Sequence, residues 1–261
     1  MLKKRLIGVV TVKDGWAVQS FGYRRYLPLG KPECLVTNLN RWGADEILVQ
    51  AIDRSPLRKG PDFELLERLG KLGLETPLIY AGGIRTVEEG LRSIELGADR
   101  IAVDALLRGD LDVVRGLAHR LGAQALIASL PLSRGPEGLS WLDYRSASST
   151  ALSTDLLTLI HDATISEVLV TDWENEGRNG AFDPRLVEEF PSESAPLIAF
   201  GGISEIQQIR ELLRSPKVAA VAIGNFLSYR ELAIQNYKEM LTDMPVRPAN
   251  YQSHYSLVSD G

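Results

Sequence analysis

Two short stretches hold the residues best placed for chemistry: LIYAGGIRT at 78–86 and LIAFGGISE at 197–205. Each sets a glycine pair, Gly82 and Gly83 or Gly201 and Gly202, between an apolar run and a helix start. Glycine at the end of a strand lets backbone N–H groups close on an oxyanion, and the helix start adds a favourable partial charge. A tight turn needs the same glycines, so the pair alone leaves both readings open. Metal chemistry finds no support: His119 and His161 lie in helical patterns and His254 near the end, none with an i, i+4 partner or a Cys/Asp cluster. No metal or cofactor is expected. The single cysteine, Cys34, cannot form an internal disulfide and reads as a small buried residue of the first helix.

The elements that would position the glycines are short apolar runs: RLIGVVT (5–11), EILVQAI (46–52), PLIYA (77–81), RIAVD (100–104), QALIASL (124–130), EVLVTDW (167–173), PLIAF (196–200) and AVAIG (220–224). Between them lie amphipathic helical patterns such as 62–73, 86–97, 110–122 and 205–214, with Asp or Thr at starts and Gly at ends. Strands alternating with helices pair in parallel through crossovers, and eight such units predict a closed α/β (β/α)8 TIM barrel, with a doubly wound open sheet as the competitor. The second half repeats the first at an offset near 120: GADEILVQAIDR (43–54) matches ISEVLVTDWEN (165–175), and IAVDA (101–105) matches VAIGN (221–225). The barrel is therefore expected over 1–243 as two four-unit halves, followed by a C-terminal tail, 244–261, for disorder or a partner contact. A net charge of −5 and the lack of a basic block with interleaved aromatics exclude nucleic acid and an anionic membrane as expected partners. The apolar opening run is broken at Lys13 and Asp14, so neither a signal peptide nor a membrane span is expected, and the location expected is the cytoplasm.

MLKKRLIGVVTVKDG, RWGADEILVQAID, PLIYAGGIRTVEEGLRSIELGADRIAV, HRLGAQALIAS, EVLVTDWENEG and PLIAFGGIS together resemble the cyclase (HisF) family, the synthase subunit of imidazole glycerol phosphate synthase. The likeness runs in order from residue 1 to about 240. It implies a half-repeated barrel, a HisH-like glutaminase on the amino-terminal face, ammonia passing through the barrel, and a bisphosphorylated substrate on the carboxyl-terminal face. It also places Arg5, Glu46, Arg100 and Glu167 at the family's charged ammonia gate. Strand parity supports that placement: Arg5 alternates with Ile7, Val9 and Thr11, and Glu167 with Leu169, Thr171 and Trp173, so both can point into the barrel. A stabilising ring without traffic is the competing reading.

The cyclase chemistry of the family is not carried over. Its general acid and base are aspartates at the ends of strands one and five, where this chain has Thr11 and Pro131, neither of which can transfer a proton. The acid after strand two is replaced by Ala51, with Asp53 two residues on. The family's second-half phosphate site is retained as Gly177, Gly201, Gly202, Gly224 and Asn225; the first-half site keeps Gly82 and Gly83 but has Asp104 for asparagine and Ala105 for a hydroxyl. A carboxylate facing a phosphate is repulsive, so an anionic ligand with one phosphate-like group is expected, not two. Loop one, FGYRRYLPLGKP (21–32), together with AIDRS, resembles a divergent branch of the family that serves surface-polysaccharide synthesis beside a glutaminase and an N-acetyl sugar amidotransferase. Its aromatics and arginines suit either stacking on a nucleotide or sugar, or docking a partner.

Three functions follow. The first is an ammonia-channelling synthase-type subunit of a glutamine-dependent amidotransferase acting on an N-acetyl sugar. The second is a true cyclase of histidine biosynthesis using relocated acids among Asp14, Asp53, Asp104 and Asp172. The third is a non-catalytic conduit that binds partners.

Overall fold

The computed structural model describes residues 3–135, 138–192, 194–229 and 231–248. The chain runs through β1 (Arg5–Lys13), β2 (Trp16–Phe21), β3 (Arg25–Gly30), α1 (Pro32–Arg41), β4 (Glu46–Ala51), α2 (Phe63–Gly70), β5 (Leu78–Ala81), α3 (Val87–Glu95), β6 (Arg100–Val103) and α4 (Leu111–Leu121). It continues through β7 (Leu126–Gly135), β8 (Gly138–Asp143), β9 (Ser148–Thr150), α5 (Thr154–His161), β10 (Glu167–Asp172), α6 (Arg185–Glu188), β11 (Leu197–Phe200), α7 (Ile206–Arg214), β12 (Val218–Ile223) and α8 (Ala233–Met240). Eight strands pair in parallel in the order β1, β4, β5, β6, β7, β10, β11, β12, and β12 returns to β1. The sheet is closed, and the fold is the (β/α)8 barrel rather than the open sheet.

Alternation along the strands creates two cores. One parity, including Ile7, Leu48, Ile79, Ile127, Leu169 and Ile198, fills the lumen; the other, including Leu6, Ile47, Val49, Ile101, Val168 and Val221, packs outward against the helices. Sequence-local caps set the helix starts: Asp62, Thr86, Asp110 and Ser153 each accept a backbone N–H three residues on. The last helix is pinned by a buried pair, Lys238 Nζ to Asp45 at 2.7 Å, and Asp45 also accepts the N–H of Leu6 at 2.7 Å. Residues 244–248 are not free of the barrel. Pro245 accepts the N–H of Lys4 and Val246 bridges to Lys4, while 249–261 lie outside the described residues, as does His254.

Two hairpins rise from the carboxyl-terminal face. The first, β2 and β3, follows β1 through a two-residue turn at Asp14 and Gly15, both with positive φ (49° and 78°), the backbone shape that suits a strand reversal. The second, β8 and β9, continues β7 beyond the barrel rim. Cys34 corrects the expectation of burial. Helix α1 buries Pro32, Val36 and Leu39, and a residue midway between Pro32 and Val36 falls on the opposite face, so Cys34 is exposed.

Candidate functional site

At the amino-terminal end of the lumen the four predicted charges form a closed ring. Arg5 reaches both carboxylate oxygens of Glu46, at 3.0 and 3.1 Å, and bonds Glu167 with its other nitrogen. Arg100 completes the circle to Glu167 at 2.6 Å and Glu46 at 3.3 Å, steadied by Ser166 at 2.9 Å and the carbonyl of Gln124 at 3.0 Å. These side chains are only 8–13% exposed, so each charge depends on its neighbours for the solvation it lacks. Burial pushes the Glu46 carboxyl up against the downward pull of Arg5 and Arg100. Above the ring the lumen is apolar, a layer that a neutral molecule crosses at far lower cost than an ion.

At the opposite end, Thr11 and Pro131 hold the positions where the resemblance places the family's acid/base pair. Thr11, 5% exposed, and the buried Pro131 lie where the parallel barrel pairing of β1 and β7 nears its carboxyl-terminal limit. Asp172 is buried and committed: it accepts the N–H and side-chain amide of Asn175, at 3.2 and 2.9 Å, and the N–H of Asp183 at 2.9 Å. Burial nonetheless raises its pKa from the usual aspartate range. It shapes the loop after β10 and leaves Asp14, Asp53 and Asp104 as the acids that line open space.

The glycine pairs do the same job in both halves. A Cβ on Gly82 would meet the carbonyl of Ala51 at 2.5 Å, and one on Gly201 would meet that of Asp172 at 2.4 Å; on Gly83 and Gly202 it would meet the carbonyls of Gly60 and Asn175 at 2.4 and 2.7 Å. All four have positive φ, from 74° to 140°. Each pair lets the preceding strand's loop pack directly on it, which accounts for the repeat without an anion.

Several polar groups beside the glycines are committed within the protein. In the first half Gly83 N–H donates to Ser55 Oγ at 3.0 Å, and Asp104 accepts both the Ser55 hydroxyl at 3.0 Å and the N–H of Ala105 at 2.6 Å. In the second half Asn225 turns away from any ligand: its carbonyl oxygen takes the N–H of Ser20 at 3.1 Å and its amide donates to the Ser20 carbonyl at 2.5 Å. Glu176, 3% exposed, accepts the Ser20 hydroxyl at 2.9 Å and the N–H of Tyr23 at 3.2 Å. Gly177 lies against the backbone of Ser20 and Phe21. What remains among Glu176, Gly177, Gly201, Gly202, Gly224 and Asn225 is about 10 Å³, the room of one water. The first hairpin thus packs against the second-half glycines and Asn225 and leaves little room beside them.

Open space lies on the other side. A cavity of about 420 Å³ spans the ends of β1, β4, β5, β6 and β7, roofed by Tyr23 and Tyr26 of the first hairpin and Tyr144 of the second. Tyr23 and Tyr144 meet edge to face, with centroids 6.0 Å apart. Arg24 and Arg25 of the same loop are exposed, so the loop turns its aromatics inward and its cations out. Among the described residues no group of three or more His, Cys, Asp or Glu could hold a metal ion, and no helix is long and apolar enough to cross a membrane.

Residues 5–233 match the sequence profile of the family described as "Histidine biosynthesis protein". The chain belongs to that family. It is 27% identical over 233 residues, 88% of this chain and 85% of the relative, to a Vibrio vulnificus protein named "Putative imidazole glycerol phosphate synthase subunit hisF2". It is 26% identical over 245 residues, 92% of this chain and 96% of the relative, to the imidazole glycerol phosphate synthase subunit HisF of Streptococcus sanguinis. A Pseudomonas aeruginosa protein with the same name as the Vibrio one is 26% identical over 233 residues, 88% of this chain and 92% of its own. The chain is thus a HisF-family barrel whose relatives include the hisF2 branch.

Within this HisF-family barrel, the residues that sequence reasoning missed are Glu176, Ser20 and Tyr144, while Tyr23 was singled out only as one of the loop-one aromatics. The Asp14–Gly15 dipeptide between two alternating runs was a legible hairpin signal. It would have placed Ser20 and Tyr23 over the barrel mouth. Nothing local announces Glu176, whose partner Ser20 is 156 residues away.

Proposed function

We propose that this chain is the synthase-type, ammonia-conducting subunit of a glutamine-dependent amidotransferase complex. The observation that carries the reading is the closed ring of Arg5, Glu46, Arg100 and Glu167 beneath an apolar lumen, in a barrel whose carboxyl-terminal face has lost the family's acid/base pair. Ammonia released at the amino-terminal face is neutral and can pass the apolar layer, whereas ammonium is held back by the cost of burying charge. Arg5 and Arg100 keep the ring shut by hydrogen bonds, and a docked glutaminase supplies the competing contacts that loosen them. The relatives are named as subunits of imidazole glycerol phosphate synthase, in keeping with a glutaminase partner of the HisH kind. The acceptor in this reading is an N-acetyl sugar, amidinated for surface polysaccharide beside a sugar amidotransferase.

The test mixes the purified chain with the glutaminase encoded beside it and glutamine, and follows glutamate release. Stimulation by the chain, lost in an Arg5→Ala/Glu167→Ala variant that remains folded, is the expected result. No binding and no stimulation would sink the reading.

A second reading, the cyclase of histidine biosynthesis, draws on the HisF-named relatives and on Asp14, Asp53 and Asp104, three carboxylates lining one cavity. Two groups count against it in this reading: Asp104, a carboxylate lining the cavity beside Ser55, and Glu176, tied to Ser20 and Tyr23 near the second-half glycines. Growth of a histidine auxotroph lacking its cyclase, when supplied with this chain, decides for the second reading.

A further inference from the structure

The 420 Å³ cavity has the size of a small-molecule site and a charge that does not suit a phosphate. Its walls carry Asp14, Asp53 and Asp104 against one lysine, Lys13. Lys13 is already bound to Asp14 at 2.7 Å and lies over the ring of Tyr26 at 5.4 Å. Lys59 approaches Asp53 only to 3.8 Å. Asp104 has no ion pair among the described residues; one of its oxygens holds Ser55 and Ala105, and the other carries no hydrogen bond.

A second, independent feature points to a ligand. Gln50, 8% exposed, lines the cavity floor with its amide nitrogen buried and unbonded, and the Tyr23 hydroxyl above it is likewise buried without a hydrogen bond. The Gln50 side chain sits beside that hydroxyl without a well-formed hydrogen bond between them. Buried polar groups without well-formed hydrogen bonds cost about 1–3 kcal/mol each unless a polar group reaches them from the cavity. Burial keeps Tyr23 and Tyr144 neutral, as hydroxyls rather than phenolates.

We propose that this cavity binds a hydroxyl-bearing organic cation, an amine or amidine, with its charged nitrogen on the free oxygen of Asp104 and its hydroxyls on Gln50 and Tyr23. The tyrosine faces favour the same charge, since aromatic rings attract cations. Phosphate is disfavoured twice: by Asp104, and by the loss of Gly83 and Ala105 as free donors. The inference deepens the proposed function by naming the ligand at the carboxyl-terminal end of the conduit: a cation of this kind matches the amidine product of that reading, not its neutral N-acetyl acceptor, and that meaning rests on that reading. Occupancy of the cavity does not.

The experiment is calorimetric titration of the full chain, without glutaminase, with glucosamine, N-acetylglucosamine, glucosamine 6-phosphate and inorganic phosphate. Saturable binding of glucosamine is expected, with the neutral N-acetyl form and the 6-phosphate at least about tenfold weaker and inorganic phosphate silent, a margin one misplaced charge readily gives. Asp104→Asn, which keeps the acceptor for Ser55 and Ala105, should weaken glucosamine at least about tenfold while its thermal melt confirms folding. Gln50→Leu gives a second route to the same loss, by removing a donor without touching charge. Tighter binding of the 6-phosphate or of inorganic phosphate, an Asp104→Asn variant with unchanged affinity, or no saturable glucosamine signal overturns the proposal. Glucosamine binding without glutaminase stimulation would keep this site and sink the conduit; stimulation without binding would do the reverse.

Discussion

Replacing Arg5 by methionine keeps most of the side-chain volume and removes the charge that holds two glutamates. In the native ring Arg5 makes two bonds to Glu46 and one to Glu167, so its loss leaves both carboxylates sharing Arg100 alone. Breaking a buried pair by removing one partner costs about 3–5 kcal/mol, and the position of the ring at the lumen mouth, 8–13% exposed, puts the cost near the lower figure. For a chain of this size about 3 kcal/mol corresponds to a fall in Tm of roughly 6–12 °C. Urea and thermal unfolding followed by tryptophan fluorescence measure it. A second change gives the sharper test: Glu46→Gln in the Arg5→Met background restores one cation to one anion, so the double variant should be more stable than Arg5→Met alone. An Arg5→Met loss below about 0.5 kcal/mol, the scatter of surface substitutions, would refute the view that the ring's charges depend on one another. So would a double variant no more stable than the single.

Glu176 should make stability depend on pH in the opposite sense to a salt-bridged carboxylate. Burial raises its pKa above the ordinary 4.5, so the folded chain binds its proton more tightly than the unfolded chain does. Its contribution is therefore fully present below that value and is lost as pH rises through the folded pKa. Glu176→Gln keeps an acceptor for Ser20 and Tyr23, and its stability relative to wild type should grow as pH is raised from about 4.5 toward neutrality; paired urea titrations that stay parallel would contradict this. Gly201→Ala forces a Cβ to 2.4 Å from the Asp172 carbonyl at a φ of +105° and should cost roughly 2–4 kcal/mol in urea unfolding.

The barrel and its charged ring were legible because they depend on local alternation. A run such as RLIGVVT states its own parity, and a charge on the lumen-facing parity can only meet other charges on the same rim. The mouth of the barrel was not legible in the same way. Asn225 reads as a side chain offered to a ligand, yet it closes on the backbone of Ser20, 205 residues earlier. Aromatics and arginines in loop one read as one binding surface, yet the hairpin separates them by face, because Tyr23 and Tyr26 have apolar rings to bury and Arg24 and Arg25 remain in water. Cys34 shows the limit at a finer scale, since composition favours burial and helical phase decides against it.

The two halves of the barrel show which parts of a repeated unit are structural and which are negotiable. The glycine pairs persist in both because each packs beneath the carbonyl of the preceding strand's loop, at Ala51 and at Asp172, and no other residue fits there. The groups that would face a substrate have been spent differently. The first half uses Asp104 and Ser55 to satisfy its own backbone donors, whereas the second uses Glu176 and Asn225 to fasten the hairpin. Fastening the hairpin over the second half is also what lowers Tyr23 over the first, because its N–H is held by Glu176 while its hydroxyl overhangs Gln50. The filled site and the open cavity are therefore one arrangement: loosening Glu176 from Ser20 should disturb the cavity roof as well as the second-half site.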